Sequence, residues 1–312
     1  MKTKVVRAFA PATVANVGVG FDILGFAVSG LGEIAEVSLL PNERRVVIEP
    51  VAGFAEIPTD PRKNTAGAGL IRLIQEKRLR HGFHVRLRKS IPIGSGLGGS
   101  AVSSVATIVA ANQWLAKKLG DDELIDYALT GEEVASRSRH ADNIAPCVYG
   151  GLVFVRSKPE VRVVKIPTPS AMRCVLWLPR LTIKTSQARK MLSPRLPLVT
   201  AVEQTANLAG FLMACVNSDF ELMAESLRDR MIEPQRQRLI PAFTELQTAA
   251  LKAGALGCSI SGSGPALFAL TDGQRTALKV ERALQKVSLA RGIDVVGTWI
   301  TPIAKKGAHV LR

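Results

Sequence analysis

Ile91-Pro92-Ile93-Gly94-Ser95-Gly96-Leu97-Gly98-Gly99-Ser100-Ala101 joins a strand-like run to an apolar helix through a glycine-dense turn. Phe83 to Arg88 before it alternates apolar with polar residues, as a half-buried strand does, and Ala101 to Leu115 after it is alanine-rich and apolar, as a packed helix is. The turn therefore sits at a helix N-terminus, where free backbone N–H groups and the positive end of the helix dipole converge. Glycines lack a Cβ and let a polyphosphate approach the main chain. Pro92, Ile93, Gly94, Ser95, Gly96, Leu97, Gly98, Gly99, Ser100 and Ala101 are thus a candidate phosphate-binding loop. A flexible turn with Ser100 as an ordinary N-cap gives the same pattern. No Lys-Ser or Lys-Thr follows the glycines, which argues against a Walker A element.

Working outward, Val5 to Phe9, Ile34 to Leu40 and Val46 to Ile48 read as strands, and Asn64 to Arg80 as a helix capped by Asn64 or Thr65. Asp121 to Ser138 reads as a helix with acidic residues in its first turn. Leu152 to Val155 is a strand, after which Ser157-Lys158-Pro159 and Pro167-Thr168-Pro169 break the pattern and place a domain boundary near residue 166. Beyond it the pattern gives a strand at Arg173 to Leu178 and helices at Leu198 to Val216, Phe220 to Met231 and Phe243 to Ala253. A glycine turn into a strand over Ser259 to Leu270, a helix at Arg275 to Ala290 and a strand at Asp294 to Ile300 complete an α+β order.

The chain has 312 residues, more than one typical core, so two domains are expected. Its 47% hydrophobic and 21% charged residues describe a globular protein, and the few aromatics, 5%, leave the core to aliphatic packing. The net charge of +15 invites a nucleic-acid partner, but the basic clusters at Arg78 to Arg88 and Arg228 to Arg238 lack the aromatic interleaving that base stacking needs. No nucleic-acid partner is expected. Cys147, Cys174, Cys215 and Cys258 lie far apart with no Cys-x-x-Cys pair, as buried thiols in a reducing compartment do. Pro11, Asn16 and Asp22 interrupt the apolar stretch that follows Lys2, Lys4 and Arg7, so neither export nor a membrane span is expected.

Three further motifs occur: Pro11-Ala12-Thr13-Val14-Ala15-Asn16-Val17-Gly18-Val19-Gly20-Phe21-Asp22-Ile23-Leu24-Gly25, Arg139-His140-Ala141-Asp142-Asn143-Ile144-Ala145-Pro146, and Ile260-Ser261-Gly262-Ser263-Gly264-Pro265-Ala266. With the glycine loop, in this order, they resemble the GHMP kinases, and the first two resemble the branch of that family acting on L-homoserine. The resemblance implies an α+β, two-domain GHMP kinase architecture: a ribosomal-S5-domain-2-like ATP-binding domain over residues 1–165 and a ferredoxin-like α/β sandwich over 166–312, with the active site between them. It implies ATP-dependent phosphorylation of the L-homoserine hydroxyl to O-phospho-L-homoserine, a cytoplasmic step towards threonine, and it admits a homodimer.

The same resemblance implies ATP and Mg²⁺ as cofactors, with the cation on Ser100 and Glu132; Glu133 is the adjacent alternative. Asn16, Asp22, His140 and Asn143 would surround the amino and hydroxyl ends of the substrate, and Thr185, Arg189 and Arg236 its carboxylate. Gly262 and Gly264 would close the acceptor pocket. Asn16, Asp22 and Arg189 are the catalytic candidates, with Asp22 first a placement residue and only second a base. His140 also reads as a structural histidine. Gly99 stands where the family usually has serine and Ala266 where a hydroxyl is common, each removing one side-chain contact. Rival readings are a kinase of another small alcohol such as mevalonate, a non-catalytic ligand sensor of the same fold, and a basic nucleic-acid-binding protein.

Overall fold

The computed structural model describes residues 4–136, 139–156 and 160–312. The first half of the chain runs β1 (Val6–Ala15), β2 (Leu24–Leu40), β3 (Val46–Ile48), α1 (Thr65–Glu76), β4 (Gly82–Arg88), α2 (Gly99–Asn112), α3 (Asp121–Ser136), α4 (Ile144–Tyr149), β5 (Leu152–Arg156) and β6 (Arg162–Ile166). The second runs β7 (Arg173–Pro179), α5 (Thr185–Lys190), α6 (Leu198–Asn217), α7 (Phe220–Ser226), α8 (Glu233–Arg236), α9 (Phe243–Lys252), β8 (Gly257–Ile260), β9 (Leu267–Thr271), α10 (Gln274–Ala290), β10 (Val295–Pro302) and β11 (His309–Leu311).

Two sheets carry these elements. The first has the order β11-β1-β2-β4-β3, with β5 pairing to β2 and β6 to β5. The second has the order β10-β7-β9-β8, antiparallel throughout. Taken in chain order its strands lie 4-1-3-2, the ferredoxin-like arrangement, with α10 packed on the sheet and α9 beside it. Helix α2 is buried from Ala101 to Asn112. It is buried on every side because β1 and β2 cover one flank and α1 and α3 the others.

Several expectations change here. β1 continues through Ala15 rather than ending at Phe9, since Ala10, Ala12 and Val14 are fully buried and the strand goes on pairing with β2 at Ala10, Pro11 and Thr13 to Ala15, with a register shift between Pro11 and Thr13. The expected helix over Phe220 to Met231 stops at Ser226. Asp229 ends it: one carboxylate oxygen accepts from the Met231 and Ile232 amides, at 2.8 and 3.0 Å, and the other from Glu233, at 2.9 Å. A side chain that satisfies three amides competes with helical continuation. β6, α4, α5, α8 and β11 are additions. β11 pairs with β1, so residues His309–Leu311 return to the first sheet. The expected break at Ser157-Lys158-Pro159 and the helix end at Ser138 lie outside the described residues.

Beneath the glycine loop sits a buried ion pair. Lys89 Nζ lies 2.7 Å from Glu33, with side chains 5% and 1% exposed, and also donates to Ser103 Oγ at 2.9 Å. Burial raises the Glu33 carboxyl above its ordinary value, against the opposing charge of Lys89. Replacing Lys89 with methionine leaves that carboxyl without its partner and is expected to destabilise the protein by about 3–5 kcal/mol. The Lys89→Met/Glu33→Gln double variant is expected to recover most of the loss; urea midpoints check both.

Candidate active site

A cleft of about 360 Å³ lies where the glycine loop faces the first motif and the Ser261–Ala266 turn. Helix α2 begins at Gly99, two residues earlier than the sequence suggests, and Gly98 rather than Ser100 is its N-cap. Gly98 is left-handed, with φ of 71°, and no side chain caps the helix end. The amides of Gly99, Ser100 and Ala101 therefore have no partner within the helix and open on the cleft wall. No acidic residue occupies the first turn to offset the dipole.

Close backbone packing fixes the loop. Thr13 N donates to Leu97 O at 3.2 Å, Ala266 N to Ser95 O at 2.9 Å and Ser261 Oγ to Gly96 O at 2.6 Å. A Cβ on Gly98 would meet Thr13 Oγ1 at 2.1 Å and Asn143 Oδ1 at 2.8 Å. Those two side chains are bonded to each other at 2.7 Å, so Asn143 spends an acceptor on holding the loop. Gly99 differs: a Cβ there would meet nothing nearer than Ile91 Cγ2 at 3.5 Å. The fold leaves room for the absent serine.

Across the cleft the first motif turns sharply, with Asn16, Val17 and Asp22 all at positive φ. Asn16 holds the turn: its Oδ1 accepts from Asp22 N at 3.0 Å and its Nδ2 donates to Gly262 O at 2.8 Å. Asp22 is thereby aimed at Arg189, whose two terminal nitrogens donate to its two carboxylate oxygens at 2.9 and 3.0 Å. His140 Nδ1 stands 3.5 Å from the same carboxylate. Burial lowers the His140 pKa, and Arg189 adds to the effect against the opposing pull of Asp22. Arg236, 3% exposed, donates to Gly262 O at 3.1 Å and to Ala188 O at 3.3 Å. Burial, then the charge of Arg189, push Arg236 down to about 10. Both guanidiniums lie over the Phe21 ring, at 5.4 and 5.2 Å from its centroid.

Three comparisons with known proteins bear on this arrangement. Residues 65–151 match the GHMP kinase N-terminal domain model and residues 211–288 the GHMP kinase C-terminal model. A homoserine kinase of Chlorobium phaeovibrioides is 40% identical over 99% of this chain and 100% of its own length. The chain belongs to the GHMP kinases. A homoserine kinase of Xylella fastidiosa is 42% identical over 98% of this kinase and 94% of the relative. The crystal structure of a homoserine kinase from Cytophaga hutchinsonii superposes with a TM-score of 0.95 at 39% identity, covering 100% of this chain and 98% of that one. An L. major mevalonate kinase, at 14% identity and a TM-score of 0.68, shares the fold.

A GHMP kinase uses ATP, and the glycine cradle with its free helix amides suits the nucleotide's tail. For the cation, Ser100 and Glu132 line the same cleft and offer hard oxygen donors. Among the described residues no group of three or more His, Cys, Asp or Glu converges, so this donor set fits an ion that keeps waters and phosphate oxygens.

Asn16, Asp22, His140, Asn143, Thr185, Arg189, Arg236 and Gly262 are brought together on the cleft wall, with Thr185 Oγ1 3.3 Å from Ser263 Oγ. Of the loop, Pro92 and Leu97 do not line the cleft, and Leu97 is in the core. Gly264 is also absent from the wall. Its carbonyl lies under Gly96, where it leaves no room for a Cβ, so its place is in packing the two turns. Sequence reasoning missed Phe21, Asp142, Lys89 and Thr13. Phe21 had one signal, an aromatic beside Asp22 in a chain poor in aromatics.

Asp142 is buried on the cleft wall, and burial, then the charges of Asp22 and Glu132, push its pKa up from 3.8 to about 7. Between those values the folded protein holds a proton that the unfolded chain has released. This contribution to stability is complete below pH 4 and is lost as pH rises through about 7, by at most roughly 4 kcal/mol. In urea titrations at pH 5 and pH 8 without ligands, Asp142→Asn is expected to fall less in midpoint than the parent; equal falls would contradict the assignment.

Proposed function

We propose that this GHMP kinase transfers the γ-phosphoryl group of ATP to the side-chain hydroxyl of L-homoserine, giving O-phospho-L-homoserine and ADP in a cytoplasmic step towards threonine. One observation carries the reading: a carboxylate and a guanidinium, Asp22 and Arg189, are paired at 2.9 and 3.0 Å on the wall of a cleft that also holds the phosphate cradle. A free amino acid carries the same two charges in reverse. Its ammonium takes Asp22 from Arg189, and its carboxylate takes Arg189 and the adjacent Arg236, so no buried charge is left alone. Mevalonate has only the carboxylate and leaves Asp22 without a cation. The full-length likeness to homoserine kinases supports the same assignment.

In this reading the amides from Gly98 to Ala101 hold the β- and γ-phosphates, while Ile57, Pro58 and Leu87 give the far end of the cleft an apolar floor for the base. Ser100 and Glu132 would hold Mg²⁺, which supplies charge neutralisation between the phosphates. The substrate hydroxyl oxygen attacks the γ-phosphorus as the bond to the ADP oxygen breaks, and the hydroxyl proton passes to an oxygen of the transferred phosphoryl group and from there to water. The transition state is loose, so placement and charge stabilisation dominate. Both oxygens of Asp22 already accept from guanidinium donors, which favours its role as an ammonium anchor over that of a base. His140 and Asn143 border the hydroxyl end, and Thr185 the carboxylate end. An ADP-release assay over L-homoserine, L-serine, L-threonine and mevalonate tests the assignment. L-homoserine is expected to give the highest kcat/KM, and faster turnover of mevalonate would overturn it.

A further inference from the structure

Two like charges share one aromatic ring in the acceptor half of the cleft. Arg189 and Arg236 place their guanidinium carbons 5.4 and 5.2 Å from the centroid of Phe21. Asp22 offers one carboxylate, and Arg189 takes both of its oxygens, at 2.9 and 3.0 Å. Arg236 is 3% exposed, and its hydrogen bonds run to two carbonyls, Ala188 O at 3.3 Å and Gly262 O at 3.1 Å. A guanidinium taken out of water onto neutral acceptors is unfavourable, and a second cation beside it adds repulsion. Burial, then the charge of Arg189, accordingly hold Arg236 at about 10, below the ordinary arginine value. Phe21 is the ring that both cations meet.

The ring is itself fixed in place. Gly20 N donates to Asn16 O at 2.8 Å, Asp22 N to Asn16 Oδ1 at 3.0 Å and Leu24 N to Gly20 O at 2.9 Å. These bonds bracket position 21 from both sides, and Phe21 stands on the cleft wall. Its chemistry differs from that of a second acid in one respect that matters here. The negative face of an aromatic ring attracts a cation yet occupies none of its N–H donors as a carboxylate oxygen does. An acid at position 21 would bond Arg236 directly and would repel an incoming carboxylate.

We propose that Phe21 is a positioning residue for the acceptor's carboxylate: its ring holds Arg189 and Arg236 side by side against their mutual repulsion, with donors left for the substrate. A carboxylate then finds both guanidiniums already placed and has no bound acid to displace from Arg236. The link to the carboxylate rests on the amino-acid acceptor of the proposed function. The attraction between ring and guanidiniums does not.

Replacing Phe21 in the full chain with 4-fluoro-, 3,5-difluoro- and 3,4,5-trifluorophenylalanine drains the negative face of the ring while keeping its shape. A residue that only fills space gives a flat series. KM for L-homoserine is expected to rise about two-fold with each fluorine and about 10–30-fold for Phe21→Leu, with kcat and the KM for ATP within about two-fold of the parent. Urea midpoints measured without substrate are expected to fall across the same series, and to fall less when Arg189→Met/Arg236→Met removes both cations. A flat KM across the fluorinated series, or a loss in kcat at constant KM, would overturn the proposal. Equal slopes of the urea midpoint with and without the two arginines would overturn it whichever acceptor the enzyme uses. Graded midpoints in a parent that does not phosphorylate L-homoserine would uphold the hold of the ring on the guanidiniums and overturn the proposed substrate instead.

Discussion

Arg189→Met is expected to lower kcat/KM for L-homoserine by about 10²–10³-fold, and Asp22→Asn by a similar factor, with the loss chiefly in KM. Each variant removes one half of the paired charges that a zwitterion completes, and truncating one member of a hydrogen-bonded charge pair costs about 2–5 kcal/mol in binding. Asp22 and Arg189 already satisfy each other, at 2.9 and 3.0 Å, so a ligand must replace both contacts at once. 4-Hydroxybutyrate, which lacks the ammonium, should lose nearly as much on the parent enzyme as L-homoserine loses on Asp22→Asn, and should lose little more on that variant. Lysine at 189 would not rescue, because an ammonium cannot present the planar fork that Phe21 supports from one side. A kcat collapse for Asp22→Asn at unchanged KM would instead identify Asp22 as a base.

The second large effect is expected at Gly98. Gly98→Ala places a methyl 2.1 Å from Thr13 Oγ1 and 2.8 Å from Asn143 Oδ1, at a φ of 71° that alanine adopts only under strain. The strain alone costs about 1 kcal/mol, and opening the Thr13–Asn143 bond in a closed site adds 1–3 kcal/mol. Loss of about 3 kcal/mol in stability and of at least ~10²-fold in kcat/KM for ATP is expected, since the amides that receive the phosphates move with the loop. Gly99→Ala is the control. It lies at helical φ with space around it and should be neutral or slightly stabilising. Urea denaturation and ATP saturation curves on the two variants check the contrast.

The glycine loop was legible because its chemistry is local: strand, turn and helix follow one another in sequence, and the backbone amides need no distant partner. The order of strands in both halves was partly legible for the same reason, through alternation and punctuation. What escaped reading depends on contacts between segments far apart. Phe21 acquires its place only when Arg189 and Arg236 fold over it from beyond residue 180. Lys89 reads as one more charge in a basic run until Glu33, on the neighbouring strand, is found facing it in the interior. Asp229 looks like a residue within a helical pattern, yet its carboxylate gathers three amides and ends that helix. Gly264 takes its place in the same way, with Gly96 of the distant glycine loop packed directly on its carbonyl.

The most direct test is a crystal structure of the protein with L-homoserine and a non-hydrolysable ATP analogue bound together. The account predicts the substrate carboxylate within hydrogen-bonding distance of both Arg189 and Arg236, its ammonium on Asp22, and the γ-phosphate against the amides that begin α2, with the hydroxyl directed at it. An amino acid bound away from the two guanidiniums, or a triphosphate that leaves the Gly94–Gly99 segment untouched, would contradict it.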